Sequence, residues 1–405
     1  MKKLLFLTIL LILSSLTCFA QENLPTLKSN SSVVSIREGN VLYLNCWGID
    51  SSVKLDEYVV HKFEKEKEIS FYSDIDTITF KVTPNKNYDF IILLEGKKVY
   101  TRISTEFNKE SSNSPLNILK YYHQNPRLST KTDTIPFVLG KDHRIHIKGT
   151  INGSDSLDFL FDTGANAVVL TSSLIGTKVS MDLDEEVKNT GSDGVSIKQK
   201  SSNNQLVIKN LVWDSVSITA IDYQNPSFDA VLGWIAFGGK TVEINYDKRI
   251  LIIYESMPNL SENYSKMETV MLKGIPYMRA TLTTREKNST GWFEYDTGGR
   301  KAFYLSQKYA KENELDGTTM NIISTTTFSG SKGVRSKRTI YNLPKLKFGV
   351  FETYQIPIYV AEKDPEGVKF NDILGNNLLK RFNAIIDFKN YEIYLKPNKL
   401  LHSEY

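Results

Sequence analysis

The chain is expected to be all-β, with two related β-barrel lobes preceded by a small antiparallel β domain. Three observations carry that expectation. The 405 residues hold 21 Tyr and 20 Phe beside abundant Ile and Val, residues that suit strands. Apolar runs of strand length are bounded throughout by Gly, Asn, Pro and Asp turn signals. From Ile135 onward the sequence repeats itself, and each copy contains Asp-Thr-Gly, at Asp162-Thr163-Gly164 and at Asp296-Thr297-Gly298.

Length and composition set the frame. A chain of 405 residues with 40% hydrophobic and 24% charged residues has room for two or three domains with full cores. The formal net charge is +4, and Lys2 and Lys3 supply two of those charges. That balance argues against a nucleic-acid footprint. Residues 1–20 read as a signal peptide: Lys2-Lys3, an apolar core from Leu4 to Leu13, and Cys18-Phe19-Ala20 as a cleavage site. The apolar run is short for a membrane span. The expected location is therefore the periplasm or the exterior, with no stable membrane span once the signal is removed. Lipid attachment at Cys18 is the alternative, disfavoured because Ser15 and Thr17 stand where lipoprotein signals carry Leu and Gly or Ala. With Cys18 removed, Cys46 is left unpaired and reads as a buried hydrophobe.

Residues 21–108 form the expected N-terminal β module. Its strands include Val41-Leu42-Tyr43-Leu44, Ile69-Ser70-Phe71-Tyr72, Ile78-Thr79-Phe80-Lys81-Val82 and a run from Tyr88 to Leu94. It shows no catalytic cluster. Residues 109–132 form a linker in which Ser114-Pro115 is expected to open a short helix reaching Tyr122. His143 and His146, on an expected strand, would point to opposite faces, so no metal site is expected.

The first lobe spans residues 133–256 and the second 257–405. Strands at 144–151 and 277–282 precede the two Asp-Thr-Gly copies, and Ala167-Val168-Val169-Leu170 and Ala302-Phe303-Tyr304-Leu305 follow them. Further on come Val231-Leu232-Gly233 and Ile373-Leu374-Gly375. Asp162 and Gly233 stand 71 positions apart, Asp296 and Gly375 stand 79 apart. Tyr246 and Phe388 each follow their glycine by 13 positions and are expected to open matching closing strands.

Two equivalent aspartates on turns leaving buried strands are what a shared-proton pair requires. Two carboxylates in contact cannot both ionise, so one proton is shared and the pair titrates as a unit. The ionised member takes a proton from a water held between them, and that water attacks a carbonyl. The protonated member stabilises the oxyanion and protonates the leaving nitrogen. Such chemistry needs no nucleophilic side chain, metal or cofactor.

These motifs resemble those of the retropepsin-like aspartic peptidases of the secreted bacterial type, with two lobes in one polypeptide as in the pepsin-like arrangement. The resemblance covers residues 133–398 and rests on Phe161-Asp162-Thr163-Gly164-Ala165, Tyr295-Asp296-Thr297-Gly298-Gly299 and the two apolar-apolar-Gly segments. It implies an endopeptidase acting on peptide or protein, with Asp162 and Asp296 as catalytic residues. It further implies that Thr163 and Thr297 bond the opposite lobe, while Gly164, Gly298, Gly233 and Gly375 support the carboxylate geometry. Fusion of the lobes implies a monomer. Glycine-rich stretches in each half are expected as substrate-covering lids: Gly191, Gly194 and Val195 in one, Gly330, Gly333 and Val334 in the other. Lys332, Arg335, Lys337 and Arg338 would make the second lid basic.

The sequence departs from the pepsin-like pattern at Ala165 and Gly299, where a Ser or Thr hydroxyl is usual. Without those donors the carboxylates ionise less readily, and activity is expected at mildly acidic to neutral pH. Arg300, beside the second motif and with no counterpart at Asn166, is expected to pair with an acidic group; contact with substrate and a lowered pKa of the dyad are the alternatives. A haloacid-dehalogenase-type phosphatase is disfavoured by Gly164, where that chemistry needs a second Asp, and by the lack of a parallel α/β pattern. Two alternatives stay open: an inactive peptide-binding scaffold on the same fold, and a surface-interaction protein working through its N-terminal module.

Overall fold

The computed structural model describes residues 24–106, 118–126, 132–272, 274–285, 287–365 and 372–405. Strands take up 56% of it and helices 5%, so the protein is all-β. The expected signal peptide and Cys18 lie outside the described residues. No helix among the described residues is long and apolar enough to cross a membrane. The chain divides into two compact units, one of residues 1–39 and 43–114, the other of residues 40–42 and 115–405.

The first unit packs two small sheets. Asn87–Leu94 and Lys97–Ser104 form an antiparallel hairpin, as do Lys67–Tyr72 and Thr77–Val82. Two short strands depart from the expected antiparallel pattern. Thr26–Ser29 joins Asn87–Leu94 in parallel, and Asp56–Val59 joins Lys97–Ser104 in parallel. Alternation explains the core: in Val33–Glu38, Val34, Ile36 and Glu38 point inward. Phe71 meets Tyr58 edge-on at 5.6 Å and Phe90 at 5.0 Å. The buried Glu38 carboxylate accepts from Tyr58 Oη at 2.6 Å and from Lys67 Nζ at 2.9 Å. Burial pushes its pKa up, but bonds from His61 and Tyr58 and the Lys67 charge hold it below the ordinary value. Cys46 is half-buried and free.

In the second unit the two lobes have the same topology. The first lobe orders its strands as Ile145–Ile151, Leu157–Asp162, Ala230–Gly233, Val168–Thr171, Leu211–Ile221, Gly194–Ile208 and Glu185–Gly191. The second runs Ile275–Thr283, Asn288–Asp296, Ile373–Gly375, Phe303–Leu305, Phe351–Ala361, Ser336–Phe348 and Asn321–Phe328. Position by position the two orders correspond. Each sheet also closes on itself, by Ile145–Ile151 pairing with Gly194–Ile208 and by Ile275–Thr283 pairing with Ser336–Phe348. Closure leaves few free edges and fills the interior with inward-pointing apolar side chains.

A six-stranded sheet joins the lobes. Thr241–Asn245 of the first lobe pairs antiparallel with Phe382–Asp387 of the second, Val242 opposite Ile386. Outside them lie Ile250–Tyr254 and Thr132–Pro136 on one side, Glu392–Pro397 and Ser265–Lys266 on the other. Tyr246 and Phe388 do not open strands as expected; they sit in the tight turns between strands of this sheet. The reason is local. Asn245 Oδ1 accepts the Lys248 N–H, Asp387 Oδ1 accepts the Lys389 N–H, and Arg249 and Tyr391 close the turns in the left-handed region at φ 56°. The helix expected through Tyr122 is also corrected where it is described. Tyr121–His123 is a strand paired with Leu211–Ile221, where the Tyr121 ring packs on Trp213 at 5.3 Å. Tertiary packing overrides the helix signal there.

Candidate active site

Each Asp-Thr-Gly ends the second strand of its barrel. Leu157–Asp162 lies parallel to Ala230–Gly233 with Asp162 opposite Gly233, and Asn288–Asp296 lies parallel to Ile373–Gly375 with Asp296 opposite Gly375. The chain crossing there is tight. A Cβ on Gly233 would stand 2.5 Å from the Ala165 carbonyl oxygen, and one on Gly375 would stand 2.8 Å from that of Gly299. The glycines of the motifs are also required by space rather than by a left-handed backbone. A Cβ on Gly298 would meet Asp162 Oδ1 at 2.7 Å, and one on Gly164 would meet Asp296 Cγ at 2.8 Å. Each motif glycine therefore lies against the other lobe's aspartate.

The two carboxyls hydrogen-bond to each other. Asp162 Oδ1 accepts the Gly164 N–H at 2.8 Å; Asp296 Oδ1 accepts those of Gly298 at 2.7 Å and Gly299 at 3.0 Å. Beneath them the threonines interlock and are fully buried. Thr163 Oγ1 donates to the Tyr295 carbonyl at 2.6 Å and accepts the Thr297 N–H at 3.0 Å. Thr297 Oγ1 donates to the Phe161 carbonyl at 2.9 Å and accepts the Thr163 N–H at 3.0 Å. Four bonds thus tie strand end to strand end across the lobes.

Burial raises both aspartates above the ordinary carboxylate range. For Asp162 the bond from Asp296, the Gly164 amide and the Arg144 charge pull the other way. Asp296 is pushed up further, by burial first and then by the charges of Asp162 and Glu294. No Ser or Thr hydroxyl follows either motif to counter this, since Ala165 and Gly299 occupy those positions.

Two residues absent from the sequence reading stand beside the pair. Arg144 Nη1 donates to the Gly298 carbonyl across the lobes at 3.3 Å. Its remaining donors are committed: Nε to Asp142 Oδ2 at 2.9 Å and Nη2 to Ser227 Oγ at 2.9 Å. His146 adds to this network, bonded to Asp142 and Asp158 at 3.1 Å each and pushed up to about 9 by those two carboxylates. His143 lies in the preceding turn rather than on the strand. The second residue is Glu294, two positions before Asp296 and pushed up to about 8 by burial and the Asp162 charge. Alternation along the strand is the signal that places it on the same face as Asp296.

The glycine-rich stretches are hairpin tips, and they meet. Gly191 pairs with Gly194 around Ser192-Asp193, while Gly330 and Gly333 lie in the turn between Asn321–Phe328 and Ser336–Phe348. The buried Asp193 carboxylate accepts the Lys332 N–H at 2.9 Å and the Val334 N–H at 3.1 Å, and Asn189 Nδ2 donates to Ser331 Oγ at 2.8 Å. Val195 follows Gly194 in the first hairpin. Burial first, and then the charges of Asp162 and Asp193, push the Tyr223 hydroxyl up, against the opposing Arg144 charge. Asp193→Ala is expected to release this clasp. Amide hydrogen exchange at Lys332 and Val334 should accelerate about tenfold, the equivalent of one charged hydrogen bond. Unchanged exchange at both amides would show that the tips hold together without it.

Two expectations about charge are corrected. Arg300 is exposed and has no ion pair among the described residues; it lines a pocket with Asp142, His146 and Lys148. The reason is that Asp142 is already taken by Arg144 and His146. The second lid is not a uniformly basic face either. Arg338 is buried, its guanidinium 5.0 Å from the Phe328 ring and 5.2 Å from that of Tyr304, and Lys337 pairs with Glu362 at 2.9 Å.

No curated protein matches the chain. Residues 147–235, which carry Asp162, the first hairpin tip and Gly233, match the family model of aspartyl proteases, so this part of the chain is aspartic protease-like.

Proposed function

We propose that the protein is an aspartic endopeptidase in which Asp162 and Asp296, one from each lobe, activate a water for attack on a peptide bond. The observation that carries this reading is the meeting of two hydrogen-bonded carboxyls at matched strand ends, each against the other lobe's motif glycine. In this mechanism Asp162 is the base, favoured as the charged member by Arg144 and the Gly164 amide. Asp296 carries the proton, hydrogen-bonds the developing oxyanion and then serves the leaving nitrogen. Thr163 and Thr297 hold the carboxyls in one plane, and the two hairpin tips cover the substrate. The enzyme works as a monomer outside the cytoplasm, exported by its N-terminal segment.

The test is cleavage of a peptide library by the purified full chain across pH, with and without pepstatin. Burial raises both carboxyls, so the singly protonated pair exists between a raised acid limit and a still higher alkaline limit. The expected rate maximum lies at mildly acidic to neutral pH; a maximum near pH 2 contradicts this account. The clasped tips favour a second reading, a peptide-binding scaffold without turnover. Tight pepstatin binding with no cleavage at any pH would select it.

A further inference from the structure

The lobes correspond strand for strand, yet the positions flanking their aspartates do not. Two residues before Asp162 stands Leu160; two before Asp296 stands Glu294. Alternation puts each on the same face of its strand as its aspartate. Leu160 joins an apolar cluster with Val169, Phe228 and Val231. Glu294 instead reaches into the other lobe. Its Oε1 lies 2.6 Å from the point where a Cβ on Gly164 would stand, and Asp296 Cγ lies 2.8 Å from that same point. Two carboxyls from one strand therefore rest on the loop that carries the third.

We propose that Glu294 is the third carboxyl of this site and a positioning residue for the proton that Asp162 and Asp296 share. The inference rests on the peptidase reading above. Its physical basis is the unlike surroundings of the two aspartates. Asp162 has the Arg144 charge and the Gly164 and Ala165 amides, all of which favour its ionised form. Asp296 has Glu294 on its own strand, whose negative charge opposes ionisation of Asp296. The other groups around Glu294 are Tyr277, directly opposite on the neighbouring strand and hydrogen-bonded to it, and Asp372, whose backbone carbonyl accepts the Glu294 N–H at 2.9 Å.

The sign follows from these neighbours. Burial and the Asp162 charge push Glu294 up to about 8, so it is neutral in acid and neutral solution. Above that range it becomes charged and resists proton loss from Asp296. Glu294 thereby holds the pair in its singly protonated form into mildly alkaline solution. Leu160, in the matching place, carries no charge, so only the strand of Asp296 supplies a third carboxyl to the pair.

The experiment is the pH profile of kcat/KM for the full chain and for Glu294→Gln and Glu294→Asp. Removing the charge is expected to move the alkaline limb of Glu294→Gln down by about one pH unit, with Glu294→Asp restoring part of the shift. A loss of equal size at every pH, with the limb in place, overturns the proposal and leaves Glu294 a packing residue. A readout free of turnover covers a variant that misfolds or a wild type that cleaves nothing: 13C carboxyl titration of the glutamates. A resonance titrating in the neutral to mildly alkaline range, and dropping to lower pH in Asp162→Asn, supports the proposal. Glutamates that all titrate at ordinary values and ignore Asp162→Asn overturn it. Failure of the peptidase reading looks different: the wild type cleaves no peptide while this glutamate still titrates high.

Discussion

Asp296→Asn and Asp162→Asn are each expected to lower kcat by about 10⁴-fold, the scale of a lost general acid or base at the reacting centre. The carboxamide neither accepts the water's proton nor gives one up, and the pair works only with one proton between two carboxyls. The two substitutions should therefore not add. The double variant is expected to be no slower than either single one, as for groups acting as a unit. Folding should survive, because asparagine copies the protonated carboxyl in shape. In Asp296→Asn the side-chain oxygen still accepts the Gly298 and Gly299 N–H groups, and the new amide donates toward Asp162 as the protonated acid did. Near-ultraviolet circular dichroism and the thermal midpoint should match the wild type. Residual turnover within tenfold of wild type in either variant would remove the pair from the chemistry.

The repeat was readable because its signals are local. Asp-Thr-Gly recurs as a string, and apolar-apolar-Gly recurs with nearly the same offset, so strand order in one lobe implied strand order in the other. The hairpin tips were readable through glycine. What the sequence hid was everything set by contact between distant segments. Arg144 lies 154 positions from the Gly298 carbonyl it bonds, and nothing near it in sequence announces that partner. Asp193 lay inside an expected lid, but its meaning depends on the Lys332 and Val334 amides, supplied from the other half of the chain. Glu294 was open to inference, since alternation from Asp296 alone puts it on the same face. Its counterpart in the first copy is the apolar Leu160, so the repeat itself gave no reason to single it out.

On the proposed mechanism, that difference is how a duplicated fold would serve an unsymmetrical reaction. The backbone frame is close to two-fold: matched strands, matched glycines and reciprocal threonines. The electrostatics are not, with Arg144 on the Asp162 side and Glu294 on the Asp296 side. Equal backbone geometry brings the carboxyls together, and in the proposed mechanism unequal neighbours would give them separate roles. Shape and proton placement are therefore separable by mutation, the first residing in the threonines and the second in the flanking charges.

The threonines should accordingly show the larger structural effect. Thr297→Val keeps the side-chain volume but removes the hydroxyl that accepts the Thr163 N–H and donates to the Phe161 carbonyl. Both partners are enclosed where water cannot replace the bond, and an unpaired buried polar group costs about 1–3 kcal/mol. Two such groups put the expected loss of stability at about 2–6 kcal/mol, read as a lower urea midpoint. Activity should fall as well, because the same bonds set the spacing of the carboxyls, and small displacements at a reacting centre cost rate steeply. Thr297→Ser, which keeps the hydroxyl, should recover most of both. Thr163→Val breaks the other two bonds of the set, so a double variant asks whether the four act independently. If the second substitution costs much less than the first, the interlock is one cooperative unit that fails at the first break. A Thr297→Val protein with unchanged urea midpoint and unchanged kcat would mean that the lobes are held in register by the six-stranded sheet alone.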